Sequence, residues 1–193
     1  KKTSFTETQS ISEKIFGNYK MIEFDFKKKK IDKDLAILIL TSGSTGDPKS
    51  VRISKNNIEK VTLDITSYLK LDKNCKSLIL LPLHYSYGLS VLHNALFTGS
   101  SIHLTEKTII DKTLWDDCVN FDVTDISGVP FVLEIMKRIN IDKSFFNNLR
   151  CLTQAGGRLI PDVTEYFLKL SQKYKFDYFT MYGQTEASPR ISY

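Results

Sequence analysis

The sequence predicts an α/β fold, a mostly parallel sheet covered by helices on both faces. Three observations lead there. From Asp34 onward, short apolar runs of strand length alternate with longer segments whose apolar residues recur at helical spacing. The intervening segments are too long for hairpins, as parallel strand connections require. Hydrophobic residues make up 41% of the chain and charged residues 25%, enough apolar mass for a packed core.

Residues 1–34 are the least regular, an N-terminal segment with a short hairpin. Met21-Ile22-Glu23-Phe24-Asp25-Phe26 alternates like a strand and leads into the turn Lys27-Lys28-Lys29-Lys30. Leu35 to Leu40 is a continuous apolar run, read as a buried strand. It breaks into Thr41-Ser42-Gly43-Ser44-Thr45-Gly46-Asp47-Pro48-Lys49, and Val51-Arg52-Ile53 then looks extended. Ile58, Val61, Ile65 and Tyr68 mark a helix over 55–70. Strands follow at Ser77 to Leu81, Ser101 to Leu104, Val123 to Ile126, Arg150 to Thr153 and Phe176 to Met181. Helices fall at Gly88 to Phe97, around Leu114 to Val119, at Phe131 to Ile139 after Pro130, and from Pro161 through Tyr174. Proline suits a helix's first turn. Ligands in such sheets sit at the carboxyl ends of the strands.

Composition narrows the function classes. The chain has 193 residues and a net charge of +5, from 27 Lys and Arg against 22 Asp and Glu. The one dense basic run has Asp25, Asp32 and Asp34 as neighbours and no interleaved aromatics, so a solvated turn is favoured over a nucleic-acid contact. No apolar stretch reaches the roughly 20 residues that span a bilayer. No export signal core follows Lys1-Lys2-Thr3-Ser4. Cys75, Cys118 and Cys151 are odd in number and scattered through apolar stretches, which suits a reducing compartment. A cytoplasmic protein without nucleic-acid partner or membrane span is expected.

The densest chemistry lies between Thr41 and Lys49. Glycines there let backbone N–H groups approach an anion, four hydroxyls add donors, and Lys49 adds positive charge. Gly43 to Ser50 nearly fits the Walker pattern, but Pro48 occupies the second glycine's place. Proline has no N–H and a fixed φ, which breaks that cradle.

The loop resembles instead the T-S-G-[ST]-T-G-x-P-K signature of the adenylate-forming superfamily, acyl-CoA synthetases among them, with Ser50 where a glycine is usual. Three further elements follow in the order that resemblance demands. They are Pro82-Leu83-His84-Tyr85-Ser86-Tyr87-Gly88, Ala155-Gly156-Gly157-Arg158 and Tyr182-Gly183-Gln184-Thr185-Glu186. The resemblance implies a fold that is part of that superfamily's large domain, and it implies roles. Thr41, Ser42, Gly43, Ser44, Thr45, Gly46 and Lys49 would hold ATP phosphates. Gly156 and Gly157 would lie against adenine, with Tyr182 stacked on it. Thr185 would bond the α-phosphate and Glu186 would hold Mg²⁺, a hard carboxylate for a hard cation.

Relatives often carry His three residues after the proline. Here that place is Tyr85, with His84 one earlier, so either side chain is a candidate gate of the acid's pocket. Tyr85, Tyr87, Gly128, Val129 and Pro130 would line it. No acid lies between Pro82 and Gly88 to pair a substrate ammonium, which favours an uncharged acyl or aryl acid. His93 and His103 read as structural.

The implied reaction makes acyl-AMP from ATP and a small carboxylic acid. A thioester then forms with CoA or with a carrier protein's phosphopantetheine thiol. The expected organisation is residues 1–34 as the N-terminal segment, 35–74 as the phosphate-loop strand and helix, and 75–193 as a nucleotide- and acyl-binding subdomain. The resemblance covers only the middle of the superfamily's architecture, so a missing C-terminal domain is an expected partner. A nucleotide-binding fragment without turnover is the alternative.

Overall fold

The computed structural model describes residues 10–16, 19–24, 30–41, 49–139 and 141–193. The chain divides into two compact units, Lys1–Lys33 and Asp34–Tyr193. In the first, β1 (Ser10–Phe16) pairs antiparallel with β2 (Tyr19–Phe24), Phe16 opposite Tyr19. β2 holds most of the alternating segment read from the sequence. Asp25, Phe26 and Lys27 to Lys29 lie outside the described residues.

The second unit opens with β3 (Leu35–Thr41) and β4 (Lys49–Ser54), a two-stranded antiparallel sheet with Thr41 opposite Lys49. This corrects the reading of Leu35 to Leu40 as a buried strand. Only Ile39 is buried in β3, while Leu38 and Leu40 are 56% and 68% exposed. The period of two explains it. Ile37, Ile39 and Ile53 line a small cavity with Ile58, Leu89 and His93, and the alternate leucines point away. Ser54 then caps α1 (Lys55–Tyr68), its hydroxyl accepting from the Asn57 N–H at 3.1 Å.

The remaining elements alternate as expected, with ends shifted by a residue or two. They are β5 (Lys76–Ile79), α2 (Ser86–Thr98), β6 (Ser101–Leu104), α3 (Lys112–Asn120), β7 (Asp125–Gly128) and α4 (Pro130–Arg138). After a 3-10 turn at Lys143–Asn147 come β8 (Cys151–Gln154), α5 (Pro161–Tyr174) and β9 (Asp177–Thr180). Pro130 and Pro161 each sit in the first turn of their helix. The five strands form one parallel sheet in the order β6-β5-β7-β8-β9.

Successive strand residues alternate between two packing layers. Leu78, Ile126 and Leu152 join Leu114, Leu133, Phe146 and Phe167 in the larger core, against α3, α4 and α5. Ile79 and Ala155 pack on the opposite side with Tyr87 and Val91 of α2, and Cys151 packs with Ile65 of α1. The chain steps from β5 to β6 in one direction and then continues from β7 to β9 in the other. The loops after β5 and β7 therefore diverge and leave a crevice at the carboxyl ends of the strands. Cys75, Cys118 and Cys151 are free and buried, and burial pushes the thiols of Cys75 and Cys118 up to about 11 and about 12. Among the described residues no helix is long and apolar enough to cross a membrane.

Candidate functional site

Three of the four motifs meet at that crevice. After β8, fully buried Gln154 turns back so that its Nε2 donates to the Gly157 carbonyl at 2.8 Å, which holds the Ala155–Arg158 turn closed. Gly156 has φ +83°, and a Cβ there would lie 2.6 Å from the Tyr85 hydroxyl and 3.0 Å from Val129 Cγ1. Glycine is required on both counts. Tyr85 is thus drawn against the glycine turn, with Val129 and Pro130 behind it.

After β9 the chain makes a closed excursion. The Tyr182 N–H donates to the Ser192 carbonyl at 2.9 Å, and the Ser192 N–H returns to the Tyr182 carbonyl at 3.1 Å. Between them lies a 3-10 turn, Thr185–Ala187. Gly183 is packed so tightly that a Cβ would fall 1.7 Å from the Pro189 carbonyl oxygen. This brings the Thr185 hydroxyl 3.1 Å from that of Ser86, the first residue of α2.

Tyr85, Ser86, Gly156, Gly183, Thr185 and Arg190 surround a pocket of about 70 Å³. Gly157, Glu186 and Tyr182, each next in sequence to a residue lining the pocket, are exposed, Tyr182 to 61%. On the inner wall Tyr87 is buried, with its hydroxyl 2.6 Å from Thr153 Oγ1, which also lies 2.9 Å from Ser127 Oγ. Burial pushes the Tyr87 phenol up to about 12, although the Thr153 hydrogen bond and Arg190 act the other way.

Of the phosphate-loop residues, Ser42, Gly43, Ser44, Thr45 and Gly46 lie outside the described residues. Thr41 is half-buried, its hydroxyl donating to the Lys49 carbonyl at 3.4 Å, and Lys49 is exposed. β4, which starts at Lys49, runs beside the Thr185–Ala187 turn. His84 is exposed and does not line the pocket, whereas Tyr85 does. Sequence reasoning gave no role to Ser86 or Arg190. Ser86 lay within a quoted motif, and Arg190 stands four residues past Glu186 as one of the few arginines in a lysine-rich chain. His93 lines the cavity under the β3–β4 hairpin, and burial lowers its pKa. His103 packs its ring against Phe121.

Residues 3–193 match the family model described as AMP-binding enzyme. This chain belongs to that family. It is 30% identical over 161 residues to oxalate–CoA ligase of Saccharomyces cerevisiae, a match covering 82% of this chain and 28% of that protein. The solved o-succinylbenzoate coenzyme A synthetase of Bacillus subtilis in complex with AMP superposes with a TM-score of 0.68 at 28% identity, covering 83% of this chain and 32% of that one. The same synthetase with ATP and magnesium ion gives a TM-score of 0.66 at 26% identity, over 86% of this chain and 34% of that one. The chain therefore spans about a third of the length of these relatives.

Magnesium in an AMP-binding enzyme has to be held by oxygen donors. Glu186 offers an exposed carboxylate beside the Thr185 hydroxyl, and no group of three or more His, Cys, Asp or Glu gathers among the described residues. That donor set fits Mg²⁺ held by one carboxylate together with substrate phosphates, the usual mode for this ion.

Proposed function

We propose that this chain forms the nucleotide- and acid-binding centre of a cytoplasmic AMP-forming acyl ligase. The enzyme would activate a small carboxylic acid with ATP and pass the acyl group to the thiol of CoA or of a carrier protein's phosphopantetheine. One observation carries the reading. Two hydroxyls from elements far apart in sequence, Ser86 and Thr185, meet at 3.1 Å in a strand-end crevice that Gly156 also lines. Residues 35–74 would carry the phosphate loop and its helix, residues 75–193 the nucleotide- and acyl-binding subdomain, and residues 1–34 the N-terminal segment. The relatives are about three times longer, so turnover is assigned to a polypeptide that also supplies a C-terminal domain.

In the first half-reaction a carboxylate oxygen attacks the α-phosphorus of ATP, and the bond to the leaving pyrophosphate breaks. The acid is already ionised at neutral pH, so the chain's task is positioning and charge stabilisation. Thr185 Oγ1 donates to an α-phosphate oxygen, and the neighbouring Ser86 hydroxyl holds it in that direction. Tyr182 offers its exposed ring to adenine while Gly156 and Gly157 bring backbone against the base's other side. Ser42, Gly43, Ser44, Thr45 and Gly46, between Thr41 and Lys49, supply donors for the departing pyrophosphate. Tyr85 closes the acid's side of the pocket, the place the sequence left open between it and His84. Mg²⁺ held by Glu186 would offset phosphate charge. In the second half-reaction a thiolate displaces AMP from the acyl carbon.

The test is pyrophosphate exchange with Mg·ATP in the full-length protein. Glu186→Gln is expected to lower exchange by about 10- to 100-fold, the loss of a charge-assisted contact. Unchanged exchange overturns the metal assignment. Mg·ATP binding without exchange for any acid would favour the non-turnover alternative.

A further inference from the structure

Arg190 lines the same pocket as Tyr85, Ser86 and Thr185, and its environment lacks the group an arginine needs. Its guanidinium carbon lies 5.2 Å from the centre of the Tyr87 ring, which covers one face of the guanidinium plane. Nη1 donates to Met181 Sδ at 2.7 Å, a soft and weak acceptor. Nε is buried without a hydrogen-bond partner. Among the described residues no carboxylate forms an ion pair with it; Asp64, which shares a second cavity with Arg190, forms none.

Stacking on one face does not use the in-plane N–H groups, and a guanidinium's N–H edge matches a carboxylate in two parallel hydrogen bonds. A buried donor without an acceptor is costly, so an apolar acyl tail against Arg190 would leave that cost in place. We propose that Arg190 is a specificity-determining residue that binds a second carboxylate on the substrate. The acid activated here is then a dicarboxylic acid, one carboxylate reacting beside Thr185 and Ser86 and the other pairing with the guanidinium. This deepens the acyl-activation reading and rests on it. It replaces the expectation of an uncharged acyl or aryl acid: the absence of an acidic residue between Pro82 and Gly88 argues against a substrate ammonium, and Arg190 adds a requirement for negative charge.

The experiment measures pyrophosphate exchange in the full-length protein with acids matched in carbon skeleton: butanoate against succinate, hexanoate against adipate, and benzoate against terephthalate. In at least one pair the diacid should be favoured by about 10-fold or more in kcat/KM, the size of a charge-assisted hydrogen-bonded contact. Arg190→Met should bring that ratio close to one, and Arg190→Lys, which keeps the charge and loses the fork, should give an intermediate ratio. Thermal melts of both variants report folding, and if the Met variant fails to fold the Lys variant carries the test. A ratio that survives substitution, or both acids of a pair falling together, overturns the inference, since Arg190 would then act on ATP, on the reacting carboxylate or on structure. Monoacids used as well as diacids by the unaltered protein overturn the inference alone. No exchange with any acid overturns the activation reading along with it.

Discussion

The two faces of the five-stranded sheet are built from different chemistry. Against α3, α4 and α5 the contacts are mostly apolar, from Leu78, Ile126 and Leu152 to Phe145, Phe146 and Phe167, all 2% exposed or less, with the Tyr178 hydroxyl as a buried polar atom at their edge. Against α1 and α2 the apolar clusters are smaller and share their layer with buried Ser77, Asn94, Asp125, Thr153 and the Tyr87 hydroxyl. Two polar atoms there, Asn94 Oδ1 and Asp125 Oδ1, have no hydrogen-bond partner. Burial of polar groups in this way weakens a core unless each is paired. The pocket opens on that same side, since Tyr85, Tyr87, Ala155 and Arg190 all border it. One face supplies the stability that lets the other carry polar side chains.

If that division holds, the largest effect belongs to the apolar face. Phe167→Ala, at a fully buried ring packed on Tyr166 and Tyr178, should cost about 3–5 kcal/mol in urea unfolding. A loss below 1 kcal/mol would break the comparison. Next comes Thr153→Val, which keeps the shape and removes both hydroxyl contacts, to Tyr87 and to Ser127. It should cost about 1–3 kcal/mol with an unchanged denaturant slope, because the Tyr87 hydroxyl is left buried without its partner.

The smallest effect has the opposite sign. Burial raises the pKa of Asp125 above its ordinary 3.8, although a hydrogen bond from Thr124 pulls it down. Between the unfolded and the higher folded pKa, the folded state holds a proton that the unfolded state has released. The stability gained from protonated Asp125 is full below pH 3.8 and is lost as pH rises through the higher folded value. Asp125→Asn should remove that loss, flatten stability against pH above 3.8 and raise stability at pH 7 by on the order of 1 kcal/mol. A mutant less stable than the parent at pH 7 would show that the charged carboxylate is satisfied in the fold.

Much of the fold was legible because its signals are local. Pro130 and Pro161 announce helix starts, and the alternation of short apolar runs with helical spacings marks the elements from β5 to β9. β1, built largely of Ser, Glu, Lys and Ile, carries no such period and is a strand only because β2 pairs with it. Leu38 and Leu40 misled for a related reason: a run of aliphatic residues states that a segment is apolar, and which neighbours arrive to cover it is a property of the whole.

The site divides in the same way. Thr185, Gly156 and Tyr85 stand in contiguous motifs, so chain order alone assigned them to strand ends, and Gly156 had to be glycine for the turn its neighbours impose. The sequence by itself therefore determined the class of fold and which loops follow the strand ends, since periodicity, capping and turn residues act over a few positions. The tertiary structure decided that Tyr85 and not His84 enters the pocket, that Ser86 meets Thr185, and that Arg190 folds back over Tyr87. Those contacts join residues about a hundred positions apart. They depend on strand order and on how the excursion after β9 closes between Tyr182 and Ser192, which no local signal specifies.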